Sequence, residues 1–374
     1  MFIVILVTNG VKDKKMKRVL SLTICLALSS CGPDPIERAS EDPWSSKNQS
    51  VKTMSQADSP IPAPMLVDGS TVNASAISIL QQATESSTPR LRANAIEALR
   101  YAPEDILEQA VRVGLGDENR GVRFVASMMI GEQHLCNISL FLEPLLLDDS
   151  KSVQAAAMFS IQKCGGSVDL NPIASMLNSD NPELRGNAAM ILGLLGNTSA
   201  KQMIREALKD TPVSITPIRR RLINLQMAEA LILLGDQDEL EVIRAAIFSS
   251  SQESEVTAIA CQIAGRLHDV EVTSTLESIT LTPNRYPDEI RLIAATALAE
   301  INPNRMPMGP VLRFTSSASA SLRSQCATAL GVQGNQLSLG PLTLMMDDSD
   351  PLVQISAAGA VLRINNPDSM ANAD

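Results

Sequence analysis

Apolar and polar positions alternate along this chain with a long-range regularity. The segments LRANAIEALRYAP, VRFVASMMIGEQH, VQAAAMFSIQKCG and LRGNAAMILGLLG align so that Arg92, Arg123, Gln154 and Arg185 fall 31 residues apart. The register continues through Asn224, Thr257, Arg291, Arg323 and Gln354 at intervals of 39, 33, 34, 32 and 31. The residue before each of these anchors is apolar: Leu91, Val122, Val153, Leu184, Ile223, Val256, Ile290, Leu322 and Val353. Three places after the anchor stands Ala in seven of nine units, with Met227 and Cys326 as the exceptions. Seven places after come Leu99, Ile130, Ile161, Leu192, Leu231, Ala264, Leu298, Leu330 and Val361. Steps of four make one stripe along a helix, small in its middle where a neighbouring helix must approach.

The ends of these helices are also written in the sequence. Thr88, Asn119, Ser150, Asn181, Ser319 and Asp350, four places before the anchor, are N-cap residues. Pro89, Pro182 and Pro351 follow at the first helical position, where the missing N–H costs nothing. Eleven places after the anchor come Pro103, His134, Gly165, Gly196, Gly235, His268, Asn302, Gly334 and Asn365, a set suited to stopping a helix in a left-handed conformation. Between these helices lie second segments such as ISLFLEPLLLDD, NPIASMLNSD and GPLTLMMDD, read as amphipathic helices, with Pro172, Pro310 and Pro341 at their starts. Each unit is thus helix, turn, helix.

Nine such units predict an all-α fold, a right-handed α-solenoid of about nine helical hairpins over residues 71–368, followed by a tail at 369–374. The pattern resembles the HEAT repeat, and its short variant in phycobiliprotein lyases, with NPELRGNAAMILGLLG carrying the resemblance best. That resemblance implies fold more than function, because one repeat architecture serves many roles.

Ahead of the repeats the character changes. In MKRVLSLTICLALSSCGPDP, Lys17 and Arg18 precede an apolar run from Val19 to Leu28, too short to span a bilayer and of signal-peptide length. Leu28-Ser29-Ser30-Cys31 resembles the bacterial lipobox, which implies that Cys31 becomes the lipidated N-terminus after cleavage. Gly32 after it leans by that resemblance towards the outer membrane. Residues 1–30 are therefore read as a signal peptide, with translation starting at Met16. Residues 31–70, rich in Ser, Pro, Asp and Gln without periodicity, read as a flexible tether.

Composition narrows the class. Only 2% of residues are aromatic, which favours small-residue helix packing over a β core. After residue 30 the chain holds 26 basic and 40 acidic residues, and this acidity disfavours nucleic acid as a partner.

Candidate chemistry is sparse. His134 and His268 both occupy the helix-stop position, where His is enriched with Asn and Asp, and are read as caps. Deoxyhypusine hydroxylase, which shares HEAT-like repeats, uses His-Glu pairs for iron. Here Leu135 and Asp269 follow the histidines, so that activity is disfavoured and no metal is expected. Arg92, Arg123, Arg185, Arg291 and Arg323 are read as structural anchors that pair with loop acids of adjacent units, with Asp117, Asp148, Asp149, Asp180 and Asp348 available. Cys136, Cys164, Cys261 and Cys326 carry no metal spacing and are read as buried thiols, although export would permit Cys136 to oxidise with Cys164. Arg219-Arg220-Arg221, after the insertion DTPVSITPI, reads as a solvated helix start. Met128, Met129, Met158, Met176, Met190 and Met203 read as adaptable core.

The expected function is an envelope-anchored scaffold that binds protein partners, with no catalytic residue and no cofactor. Two alternatives stand beside it. One is a chromophore-binding lyase or isomerase, by resemblance to the phycobiliprotein lyases. The other is a cytosolic scaffold, should the signal go unused.

Overall fold

A computed structural model describes residues 69–366 apart from 211, 213, 214, 251 and 252. The signal segment, Cys31, the tether up to residue 68 and the tail at 369–374 lie outside the described residues. The helices are α1 (Gly69–Thr84), α2 (Pro89–Ala98), α3 (Glu104–Leu115), α4 (Arg120–Glu132), α5 (Lys151–Lys163), α6 (Asn171–Met176), α7 (Pro182–Leu195), α8 (Ala200–Lys209) and α9 (Pro217–Leu233). They continue as α10 (Leu240–Ile247), α11 (Ser254–Arg266), α12 (Thr273–Leu281), α13 (Asp288–Ile301), α14 (Met308–Leu312), α15 (Ala320–Gln333), α16 (Leu339–Met345) and α17 (Pro351–Asn365). The chain is an all-α solenoid, and the described residues contain no strand.

The nine anchor-bearing helices are α2, α4, α5, α7, α9, α11, α13, α15 and α17. They pack one on the next, and the remaining helices lie outside them. Their starts follow the caps. Asn119, Asn181 and Asp350 accept from the amide two residues on, and Ser319 from the amide three residues on. Their stops follow too. His134, Gly165, Gly196, Gly235, His268 and Gly334 all have positive φ, between 52° and 92°. At four of these the next amide returns to the carbonyl of the stripe residue five back: Leu135 to Ile130, Gly166 to Ile161, Asp236 to Leu231 and Asp269 to Ala264, at 2.9–3.0 Å. This closes the orphan carbonyls of the helix end. Three stops depart from the expectation. Pro103 caps α3, Asn302 is extended at φ −151°, and Asn365 lies inside α17.

Consecutive inner helices touch through one repeated contact. A Cβ on Gly131, Gly193, Gly265 or Gly331, each eight places after its anchor, would lie 2.7–2.9 Å from the Cα of Ser160, Ala230, Ala297 or Ala360. Those four partners all stand six places after the next anchor. A looser contact, from five and not eight places after the anchor, closes the structure on itself. Gly359 of α17 meets Ala98, which stands six places after the first anchor, and a Cβ on Gly359 would lie 3.0 Å from that of Ala98. Helix α17 also packs on α1, and Val72, Ala76 and Leu80 share one hydrophobic core with Val361, Leu362 and Ile364. The nine units therefore form a closed ring.

One outer segment corrects the sequence reading. Cys136–Leu147 winds as a 3-10 helix, not an amphipathic α-helix. Pro144 within it has no N–H to donate and would clash in an α turn.

Candidate functional site

The five arginine anchors lie at the start of the inner helices, and three make the same contact. Arg92 holds Asp117 through two bonds of 2.7 Å, Arg123 holds Asp148 at 2.7 and 2.9 Å, and Arg323 holds Asp348 at 2.7 Å twice. Each acid stands 25 residues after its arginine and accepts the amide of the next cap residue. Such bidentate, largely covered pairs fix the register between units. Arg123 also reaches Asp149 at 2.7 Å.

The other two correct the expected ladder. Arg185 does not pair with Asp180. It is fully buried and donates to the carbonyls of Ala207 (2.6 Å) and Asp210 (3.4 Å), with burial pushing its pKa down. Asp210 is again 25 residues on, but the insertion that follows it presents its backbone, not its carboxylate. For Arg291 the equivalent position is Ser316, so it pairs with Asp288 in its own first turn (2.6 Å) and lies over Phe314.

Both histidines are exposed at left-handed helix stops, and a ring nitrogen of His268 lies 3.1 Å from the Arg266 carbonyl. Among the described residues no three His, Cys, Asp or Glu side chains come together in a metal-binding arrangement. Cys136 and Cys164 correct the thiol reading: they form a disulfide, with Cα atoms 5.3 Å apart. It clips the 3-10 segment to the end of α5. Cys261 and Cys326 are buried free thiols whose pKa burial pushes up to about 12, which leaves them unreactive. Arg219–Arg221 sit in the first turns of α9, where Arg221 pairs with Glu253 and donates to Ser249. Beside it lies an open groove of about 510 Å³ lined by Leu225, Val242, Ala246 and Val256. Met128, Met129, Met158 and Met176 are buried, whereas Met203 is 37% exposed and stands outside the core.

The residues that sequence reasoning missed line the inside of the ring. On each inner helix the stripe at one before, three after and seven after the anchor faces the outer helices. Positions six and eight after it face the two neighbours. The positions two before and two, five and nine after stand on the side away from that stripe, towards the axis of the ring and the edges of the neighbouring inner helices, where Phe159 lies against Gly131 and Gly359 against Ala98. In most soluble helices this face would be exposed; here closure buries much of it. It carries Arg90, Asn94, Glu97 and Tyr101 on the first unit, Glu132 on the second and Glu183 with Asn187 on the fourth. Gln226 with Glu229 follow on the fifth, Arg266 on the sixth, Glu300 on the seventh, Gln325 on the eighth and Arg363 on the ninth. The signal available in sequence was this polar register opposite the core stripe.

Its charges are mostly matched. Arg100 pairs with Glu132 at 2.9 Å; burial opposes its charge, but Glu132 and Glu97 outweigh that and raise its pKa. Arg266 grips Glu229 at 2.7 and 2.9 Å. Arg120 reaches Glu183, two units away, at 3.3 Å. Glu300 and Arg90 are exceptions: burial raises the pKa of Glu300, with Arg266 and Arg363 opposing, and its carboxylate makes no direct ion pair among the described residues, while Arg90 Nε and Nη2 make no hydrogen bond there. Among the described residues no helix is long and apolar enough to cross a membrane.

A family model described as HEAT repeats matches residues 138–221. Human deoxyhypusine hydroxylase in complex with glycerol is similar at 13% identity and a TM-score of 0.35, over 79% of this chain and 98% of that one. The complex of CpcE and CpcF of phycocyanin lyase from Nostoc sp. PCC7120 is similar at 16% identity and a TM-score of 0.31, over 86% and 100%. A Kap121p mutant is similar at 14% identity and a TM-score of 0.32, over 81% of this chain and 38% of that one. No curated protein matches the chain. The units within residues 138–221 are HEAT-like repeats.

Proposed function

We propose that this chain is an envelope-anchored lipoprotein whose HEAT-like ring is a scaffold for protein partners. Lipid on Cys31 holds it at the outer membrane, facing the periplasm. The observation that carries the envelope placement is the Cys136–Cys164 disulfide. Disulfides persist in oxidising compartments such as the bacterial periplasm and are rare in the cytosol. This agrees with the Leu28-Ser29-Ser30-Cys31 motif and disfavours the cytosolic alternative. The scaffold role is supported by the use of the nominated side chains. The histidines stop helices, most anchor arginines set register, and the remaining cysteines are buried. No catalytic, metal or cofactor role is left to them in this reading. A flexible tether between Cys31 and the first helix averages roughly 35 Å, which lets the ring sample neighbours near the membrane.

The test is expression of tagged wild type and Cys31→Ser in a Gram-negative host, with precursor mass and labelling by a fatty-acid analogue as readouts. Labelled, cleaved wild type beside an unlabelled, uncleaved variant is the expected result. Unlabelled wild type, or identical processing of both, overturns the lipoprotein reading.

A further inference from the structure

We propose that the inner side of α2 binds the carboxylate of a small molecule, held by the Nε–Nη2 edge of Arg90 and the carboxamide of Asn94. This goes beyond the scaffold reading and does not depend on it.

The first observation is an arginine edge with nothing to hold. Arg92, Arg123, Arg244, Arg266 and Arg323 each turn Nε and Nη2 to a carboxylate and grip it through two bonds of 2.7–2.9 Å. That edge of a guanidinium matches the two oxygens of a carboxylate, and the charge makes both bonds stronger. Arg90 keeps the same two nitrogens covered and without a partner. A buried donor left bare is unfavourable. Glu183, Glu255 and Glu289 take the position of Arg90 in other units, and none bonds to these nitrogens. Arg185 also leaves nitrogens bare, but its Nη2 already donates to two carbonyls.

The second observation is another bare donor beside the first. Asn94 is only 7% exposed, and its Nδ2 makes no hydrogen bond. Residues four apart share one face of a helix, and side chains lean towards the helix start, so Asn94 leans towards Arg90. The inner helices that flank α2 are α4 and α17. At the position of Arg90 they carry Gly121 and Leu352, and at that of Asn94 they carry Val125 and Ser356. Of these side chains only Ser356 has a polar group, and it is bonded to Ser324 at 2.7 Å. Arg90 is also the second residue of α2, so the positive end of the helix dipole adds to its charge. The other bare atoms of the inner face, such as those of Tyr101, Gln226 and Gln325, lie two turns further on or in other units.

The chemistry selects the ligand. Arg90 Nε, Arg90 Nη2 and Asn94 Nδ2 are all donors, so a cation finds nothing here to bind and an oxyanion satisfies the set. Arg90 is partly exposed, and a turn about its side-chain bonds brings the edge to solvent. Glu97, three places after Asn94, repels a ligand more strongly as the ligand's charge rises. That favours a singly charged carboxylate over a phosphate dianion.

The experiment titrates the full-length chain, labelled with nitrogen-15 at arginine Nε, with sodium acetate, against sodium chloride at matched ionic strength. The signal missing from Arg90→Gln identifies Arg90. It should move and saturate with acetate, while the signals of the paired Arg92, Arg123 and Arg323 stay in place. Asn94→Leu should weaken acetate binding about tenfold, the loss of one hydrogen bond to a charged group. Acetate should raise the melting temperature above the chloride reference in wild type but not in Arg90→Gln or Arg90→Lys, which keeps the charge without the edge. Without acetate, Arg90→Gln should melt no lower than wild type, since it removes an unpaired buried edge. An Arg90 signal that ignores acetate, or a rise in melting temperature that Arg90→Gln shares, overturns the site. So does an Arg90→Gln that melts well below wild type without acetate, because Arg90 would then already have its partner within the fold. Phosphate saturating the Arg90 signal at lower concentration than acetate overturns the carboxylate class. The scaffold reading stands in each case.

Discussion

Asn365 donates from Nδ2 to the Oδ1 of Asn73 at 2.7 Å, joining residues 292 positions apart. The bond sits on the contact that turns a solenoid into a ring, alongside the shared core of α1 and α17. A neutral hydrogen bond contributes only about 0.5–1.5 kcal/mol, so the apolar packing does most of the closing. Asn365→Ala is expected to lower global stability by about 1 kcal/mol. It should speed hydrogen exchange in α1 and α17 while leaving α11–α13 unchanged. Uniform acceleration along the chain would show that closure is not a separate event.

Gly331 and Gly340 should respond to alanine with opposite signs. A Cβ on Gly331 would lie 2.5 Å from that of Ala360 and 2.7 Å from its Cα, so α15 and α17 must separate. Overpacking of this kind costs about 1–3 kcal/mol. Around Gly340 nothing lies within 4 Å, and there the helix propensity of alanine is worth about 1 kcal/mol. Urea melts of Gly331→Ala and Gly340→Ala should fall on either side of wild type.

Gly196→Val should destabilise more than His268→Ala. Gly196 has φ 72° with open space around it, so the whole cost is a β-branched residue forced into the left-handed region, about 1–3 kcal/mol. His268, at φ 52°, already bears that strain, and alanine adds little to it. Comparable melting shifts would break the equivalence of the two helix stops.

The Cys136–Cys164 disulfide encloses 28 residues of sequence separation. Chain-entropy arguments assign such a loop about 3–4 kcal/mol through the unfolded state. Cys136→Ser with Cys164→Ser should lower the urea midpoint accordingly, and reductant should move wild type but not the double variant. Equal midpoints with and without reductant would mean that the thiols are free in the purified protein.

Much of this fold was legible in the sequence. A helix stop needs particular residues, so Gly196, Gly334 and even His134 announced themselves, as did the caps Asn119, Asn181 and Asp350. The pairing of Arg92, Arg123 and Arg323 with loop acids was legible as well, while Arg185 was misread because an insertion moved its partner's carboxylate. Closure was not legible. It depends on the small rotation at each junction, set by contacts such as Gly331 on Ala360, summed over nine units, and no single contact reveals the sum. The polar inner face followed from closure. Asn94 and Gln325 look like ordinary exposed helix residues until the ring buries them.

Acidification should stabilise the protein before it destabilises it. Burial raises the pKa of Glu300 above its ordinary 4.5, with Arg266 on α11, Arg363 on α17 and His268 opposing, and burial likewise raises that of Glu183 against Arg120. A carboxyl with a raised folded pKa contributes stability fully below 4.5 and loses it as pH rises through the folded value. Asp348 runs the other way: its hydrogen bonds to Arg323 hold its pKa below 3.8, so its contribution is present above that and lost as pH falls further. Denaturant midpoints should therefore climb from pH 7 towards pH 4.5 and drop below pH 3.8. Glu300→Gln should flatten the climb and leave the drop, whereas Asp348→Asn should lower stability at neutral pH and soften the drop. A midpoint that falls steadily from pH 7, with Glu300→Gln tracking wild type throughout, would mean that Glu300 is solvated and that the inner face is open to water.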